Sequence, residues 1–270
     1  FILIDLKNLR PIHVDNLVRI GRPNDGGYVI PKTVFKLCDG LLSFGINKDW
    51  SFEKDFSNRN PKANIHCYDY SVNFFSLIIF TLKSFILSFV RLIMFDKKRF
   101  IKDFYGIFTI PDYYNFFRKN KIYFKKKISI KNEMNCITIE DTYKVISSNS
   151  RNIFLKMDIE TSEYDVLKSL IDSDLNFVGL AVEFHKIDEF TEDFNYLIKK
   201  ISSKYHIVHI HGNNYGKLIK QNNFPSIIEI TFMNKKHIED PIVKSSKNYP
   251  IIGLDQPNRS SKPDCELIFD

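Results

Sequence analysis

The sequence predicts an open, mostly parallel α/β sheet carrying a helical insertion at about 72–131. Three observations predict it. Short apolar runs recur and end in polar residues, at Leu41–Gly45, Ala63–Tyr68, Asn152–Met157 and Phe177–His185. Helix-period segments follow several of them, as in alternating β and α units. No repeat or linker divides the 270 residues, so 1–270 reads as a single domain.

The elements follow in order. Asp25-Gly26-Gly27 is a turn signal that predicts a hairpin, or the backbone-lined edge of a pocket. Leu41 to Gly45 reads as a buried strand ending in a glycine turn, followed by Asn47. Ala63 to Tyr68 reads as the next strand, ending at Asp69. This spacing fits the first βαβ unit of a nucleotide-binding sheet, where an acid after the second strand accepts hydrogen bonds from ribose hydroxyls.

The segment Phe74–Phe95 is long enough to cross a bilayer. Lys83 and Arg91 lie within it, and each costs about 2.5–3.5 kcal/mol near a helix centre. At about 100° per residue, Asn73, Ser76, Thr81, Lys83, Ser84, Ser88 and Arg91 fall within an arc of roughly 160°. An amphipathic helix is therefore expected rather than a spanning one. It reads as a packed cap, a homo-oligomer interface, or a membrane-surface helix helped by Lys97, Lys98 and Arg99. Tyr113–Lys127 is aromatic and basic, a composition able to grip a sugar or phosphate.

The α/β rhythm then resumes. Cys136–Asp141 reads as a short strand with an acidic end. Asn152–Met157 is a strand delivering Asp158 and Glu160, with Thr161 or Ser162 as N-cap of the next helix. Phe177–His185 ends in Glu183 and His185, and Phe190–Ile201 reads as a helix. Ile207 leads through His209 and His211 to Asn213 and Asn214; Ile227–Met233 and Cys265–Phe269 are the last strand candidates.

The net charge of +7 suits an anionic partner, but no RRM, zinc-finger or helix-turn-helix signature accompanies it, so no nucleic acid is expected. Four cysteines without a CxxC pair exclude a disulfide scaffold and point to a cytoplasmic chain, peripheral at the inner face of the membrane if the apolar helix binds lipid. No signal-peptide pattern is present, and no GxSxG, P-loop or HExxH motif supports nucleophilic or zinc hydrolysis.

Polar groups at successive strand ends of a parallel sheet line one edge. His185 or Asp158 can take the proton of a substrate hydroxyl. Asp158, Glu160, Glu183 and His185 can instead hold a divalent metal.

The order of motifs resembles the FkbM-like class I methyltransferases, which use S-adenosylmethionine. Ser43-Phe-Gly45-Ile-Asn47 looks like their first motif, with Ser43 in place of the usual acid. Lys156-Met-Asp158-Ile-Glu160-Thr-Ser-Glu163 looks like their Lys-x-Asp-x-Glu-Gly-x-Glu motif. Thr138-Ile-Glu140-Asp141 and Glu183-Phe-His185 match flanking segments. The resemblance implies a Rossmann-like sheet with a reversed last strand. It implies S-adenosylmethionine near Ser43, Gly45, Asn47, Asp69 and Glu160. It implies O-methylation of a sugar hydroxyl on a surface glycan or glycosylated metabolite, as in polysaccharide biosynthesis. His185, Asp158 and Glu183 are the catalytic candidates, with His211, Asn213 and Asn214 contacting the acceptor. Thr161, in place of the family's glycine, implies ordinary backbone there.

Two rivals remain at this stage. Asp158-Ile-Glu160 also looks like the metal motif of a glycosyltransferase using a nucleotide sugar, which leaves Gly45 and Asp69 idle. The degenerate first motif also suits a non-catalytic protein that binds a membrane surface through 74–95.

Overall fold

The apolar runs become the middle of one seven-stranded sheet. The computed structural model describes residues 3–219, 223–239 and 241–269; the side chains of Lys98 and Lys102 lie outside that description. In chain order the strands are β1 (Leu17–Ile20), β2 (Tyr28–Pro31), β3 (Gly40–Phe44), β4 (Asn64–Tyr68), β5 (Lys121–Phe124), β6 (Lys127–Ile128) and β7 (Cys136–Ile137). Then come β8 (Ile153–Met157), β9 (Gly179–Phe184), β10 (Tyr205–Gly212), β11 (Leu218–Ile219), β12 (Phe224–Pro225) and β13 (Ile228–Asn234). The helices are α1 (Val34–Leu37), α2 (Ser51–Arg59), α3 (Phe74–Ile93), α4 (Lys97–Gly106), α5 (Thr109–Phe116), α6 (Ile139–Ser147), α7 (Glu163–Asp172) and α8 (Thr191–Lys204).

The main sheet has the order β10-β13-β9-β8-β3-β4-β5. Strands β5, β4, β3, β8 and β9 are parallel, and β13 runs antiparallel to both β9 and β10. Counted from β3 as the first strand, that is 3-2-1-4-5-7-6 with the seventh reversed. This is the Rossmann-like class I methyltransferase fold. Every residue of β3, β8 and β9 is buried because helices cover both faces. Leu42, Phe44 and Leu155 face a core closed by α6, α7 and α8, whereas Leu41, Ile65 and Phe154 face α1 and α2.

Four expectations need correction. The insertion is shorter than 72–131, because Lys121–Phe124 returns to the sheet as its edge strand β5 beside β4. Only two residues of Cys136–Asp141 are strand; Thr138 caps α6 through Asp141 N, so Glu140 and Asp141 lie in its first turn. Cys265–Phe269 makes only isolated bridges, Gly212 to Cys265 and Tyr249 to Leu267. Thr161 has φ +79 and Glu160 φ +52, so the turn after β8 keeps the left-handed backbone of a glycine turn without the glycine. Ser162 occupies the N-cap position of α7, yet its side chain makes no capping bond.

The aromatic stretch 113–123 is chiefly structural. Trp50 lies edge-on against Tyr113 and Phe117, and Tyr113 against Tyr123. These contacts pin α5 to the sheet.

Candidate active site

The chain leaves β3 for β4 in one direction and reaches β8 on the other side, which opens a crevice at the carboxyl ends of these strands. A pocket of about 630 Å³ fills it, a volume ordinary for a cofactor site. Gly45, Asn47, Asp69, Asp158, Glu160, Glu183, His185 and Asn213 all line it. Arg22, Asp25 and Gly26 of the β1–β2 hairpin form another edge.

Gly45 has φ +73, and a Cβ there would stand 1.6 Å from the Asp158 carbonyl oxygen. The close approach of the neighbouring strand end demands the glycine even without a ligand. Asn47, at φ +45, donates its backbone N–H to Asp69 Oδ2 at 2.7 Å, and Ser71 N donates to Oδ1 at 2.6 Å. Asp69 thus ties the β3 turn to the β4 turn. Each carboxylate oxygen still has a second lone pair for a hydroxyl donor.

Ser43 is fully buried within β3 and does not line the pocket. Its hydroxyl is hydrogen-bonded to Glu53 of α2, which does line the pocket. Glu53 is buried and its Oε2 has no hydrogen-bond partner among the described residues. Burial raises its pKa, against the pull of the Lys156 charge and the Ser43 bond. A helix thus brings a carboxylate to the pocket beside Ser43, ten positions later in the chain. Glu53 gives no sequence signal beyond a lone acid near a helix start.

At the ends of β8 and β9 the charges converge. Lys156 Nζ donates to Gly45 O at 2.7 Å and lies 3.7 Å from Asp158 Oδ2. Burial lowers the Lys156 pKa, but Asp158, Glu53 and Glu183 outweigh it, so the net direction is upward and the group is a buried cation. The Tyr28 hydroxyl lies 3.2 Å from both Asp158 Oδ2 and Glu183 Oε2. Asn213 Nδ2 donates to Glu183 Oε1 at 2.6 Å. Burial, then Asp158 and Glu229, push the Glu183 pKa well up.

His185 is oriented by Glu163, the last residue of the Lys-x-Asp-x-Glu segment and fully buried. Glu163 Oε1 accepts from His185 N at 2.7 Å and lies 3.2 Å from Nδ1. Nε2 stands 3.7 Å from Asp158 Oδ1 and 3.6 Å from Glu160 Oε2, beyond hydrogen-bond reach. Burial opposes charging of the ring, but the Glu163 bond and the charges of Glu183, Glu163 and Asp158 win and raise its pKa to about 9. These carboxylates thus hold the ring above the near-neutral range of an ordinary histidine. Ligand atoms of Asp158, Glu183 and His185 also lie within 4.8 Å of one another, close enough to share a divalent cation.

His211 and Asn214 do not line the pocket. His211 lies 3.3 Å from Glu229 through Nδ1 and 3.0 Å from Asp264 through Nε2. The Asn214 amide donates to the carbonyls of Arg259, Lys262 and Pro263, and its oxygen accepts from Arg259 N. Both instead hold the C-terminal segment through these bonds.

No family model and no characterised protein sequence matches the chain. Similar solved structures include fibrillarin from a fibrillarin/Nop5p complex, at 13% identity over 73% of this chain and 72% of that one, with a TM-score of 0.37. An rRNA methylase from Streptococcus thermophilus is 9% identical over 75% of this chain and 92% of its own, with a TM-score of 0.39. A precorrin-6y C5,15-methyltransferase from Geobacter metallireducens is 8% identical over 75% and 84%, with a TM-score of 0.31. At these values the likenesses carry no functional argument, and the fold rests on the strand order itself.

Proposed function

We propose that this chain is an S-adenosylmethionine-dependent O-methyltransferase of the FkbM-like kind, acting on a sugar hydroxyl of a glycan or glycosylated metabolite. The observation that carries the reading is the Glu163–His185 pair, which turns Nε2 into the strand-end pocket beside Asp158. With Nδ1–H held by Glu163, the neutral ring has its lone pair on Nε2. Asp69 and the Gly45–Asn47 turn suit a ribose, and the free Glu53 oxygen suits an ammonium group.

S-adenosylmethionine, when bound, supplies an electrophilic methyl group on a sulfonium. With the acceptor hydroxyl aligned on that methyl group, His185 Nε2 would take the hydroxyl proton, while Gly45, Asn47, Asp69 and Glu53 would hold the cofactor. Alignment of the two reactants carries most of such a reaction. A cation held by Asp158, Glu183 and His185 is the alternative that an observation favours; it would acidify the acceptor hydroxyl in place of an imidazole base.

The test is transfer of labelled methyl from S-adenosylmethionine to a panel of neutral and acidic sugars, with and without EDTA. Label on a sugar oxygen is expected. Label found only on nitrogen, carbon or RNA would replace the substrate class.

A further inference from the structure

We infer that the α3–α4 hairpin docks this protein on an anionic lipid surface. The hairpin is inverted relative to a soluble amphipathic pair. Ser84 and Ser88 of α3 are buried, and Arg91 turns inward to Asp103 of α4. A Cβ at Gly106 would stand 2.3 Å from the Ser84 hydroxyl, so small residues set a close helix–helix approach. Small residues at such contacts are what helices use where apolar surface is wanted outside.

The outer face is apolar. Phe75, Ile79, Leu82, Phe85, Ile86 and Phe89 are all more than half exposed, and Phe95 at the tip is 93% exposed. At about 100° per residue the exposed apolar positions of α3 sweep roughly 160°. A second copy pairing helix to helix covers a narrower seam. A lipid interface covers the whole arc.

Charge decides the lipid class. Residues 74–108 contain six basic and two acidic residues, and the two acids, Asp96 and Asp103, face Arg99 and Arg91. Lys83 and Lys97 are exposed. Such residues reach headgroups while their stems stay on apolar surface. The helix lies on the surface and does not cross it, because α4, with Lys97 and Arg99, covers its polar stripe.

The experiment is co-sedimentation of the full chain with phosphatidylcholine vesicles, with and without phosphatidylglycerol, beside light scattering without lipid. Anionic vesicles should pellet the protein. The Phe85→Asp, Phe89→Asp variant should lower the pelleted fraction about tenfold. A Phe89→Trp variant checks depth independently: quenching of its emission by brominated lipid is expected, since Trp50 is buried. Recovery without vesicles, no quenching, or a lipid-free dimer that the double variant splits would each overturn the inference. None of these readouts depends on methyl transfer.

Discussion

The strand-end pocket and the α3–α4 hairpin both reverse the usual partition of a soluble protein, in opposite senses. The pocket buries ionisable groups: Lys156, Glu53, Glu163 and Glu183 are nearly inaccessible, and Lys156 and His185 are held charged by the acids around them. The hairpin exposes phenylalanines and hides serines. Buried charge costs free energy unless paired, and exposed apolar area favours a partner. On the proposed reading each region gives up stability for an interaction outside the chain, one with a polar ligand and the other with an apolar surface.

Removing the imidazole should break the pocket half of this comparison most severely. His185→Ala should cut turnover about 10²–10⁴-fold while leaving S-adenosylhomocysteine affinity unchanged, measured by single-turnover kinetics and calorimetry. Unaltered turnover would remove His185 as the base.

Glu53→Gln should weaken S-adenosylhomocysteine binding about 10–100-fold, the worth of one charge-assisted bond. Ser43→Ala should weaken it far less. The reverse order would mean that Ser43 itself makes the contact.

A third test is pH. Raised to about 9, the His185 pKa leaves the ring protonated at neutrality, so turnover should climb about tenfold per pH unit up to pH 9 and then level. Stability should run the other way. A raised folded pKa gives stabilisation that is complete below the unfolded value near 6.5 and is lost as pH rises through 9. A rate plateau reached by pH 7 would place the base elsewhere. The smallest effect belongs to the hairpin: Phe85→Asp, Phe89→Asp should change unfolding stability in lipid-free buffer by less than about 0.5 kcal/mol. A larger loss in denaturant melts would show that these rings are packed.

The sequence revealed what burial on both faces writes into it. Leu41–Phe44, Ile153–Met157 and Gly179–Phe184 are central strands and read as apolar runs. Edge strand β5, Lys-Ile-Tyr-Phe, was hidden within a basic, aromatic stretch because one side of an edge strand has no neighbour. His185 and His211 looked alike, each beside acids near a strand end. They differ in place: β10, which carries His211, stands at the far edge beyond β13, and it is Asn213 and Tyr215 just after it, not His211, that line the pocket. Glu53 was illegible for the opposite reason, since a helix brings it to Ser43 across ten residues. The arc of α3 was legible as amphipathic, but periodicity cannot say which side faces the protein, and here it is the polar one.

The most direct measurement is calorimetric titration of the intact chain with S-adenosylhomocysteine, run beside UDP with manganese. The account predicts micromolar binding of S-adenosylhomocysteine, weakened by Glu53→Gln, and no heat from UDP. Binding of UDP with manganese alone would contradict it and assign Asp158 and Glu160 to a nucleotide-sugar metal site.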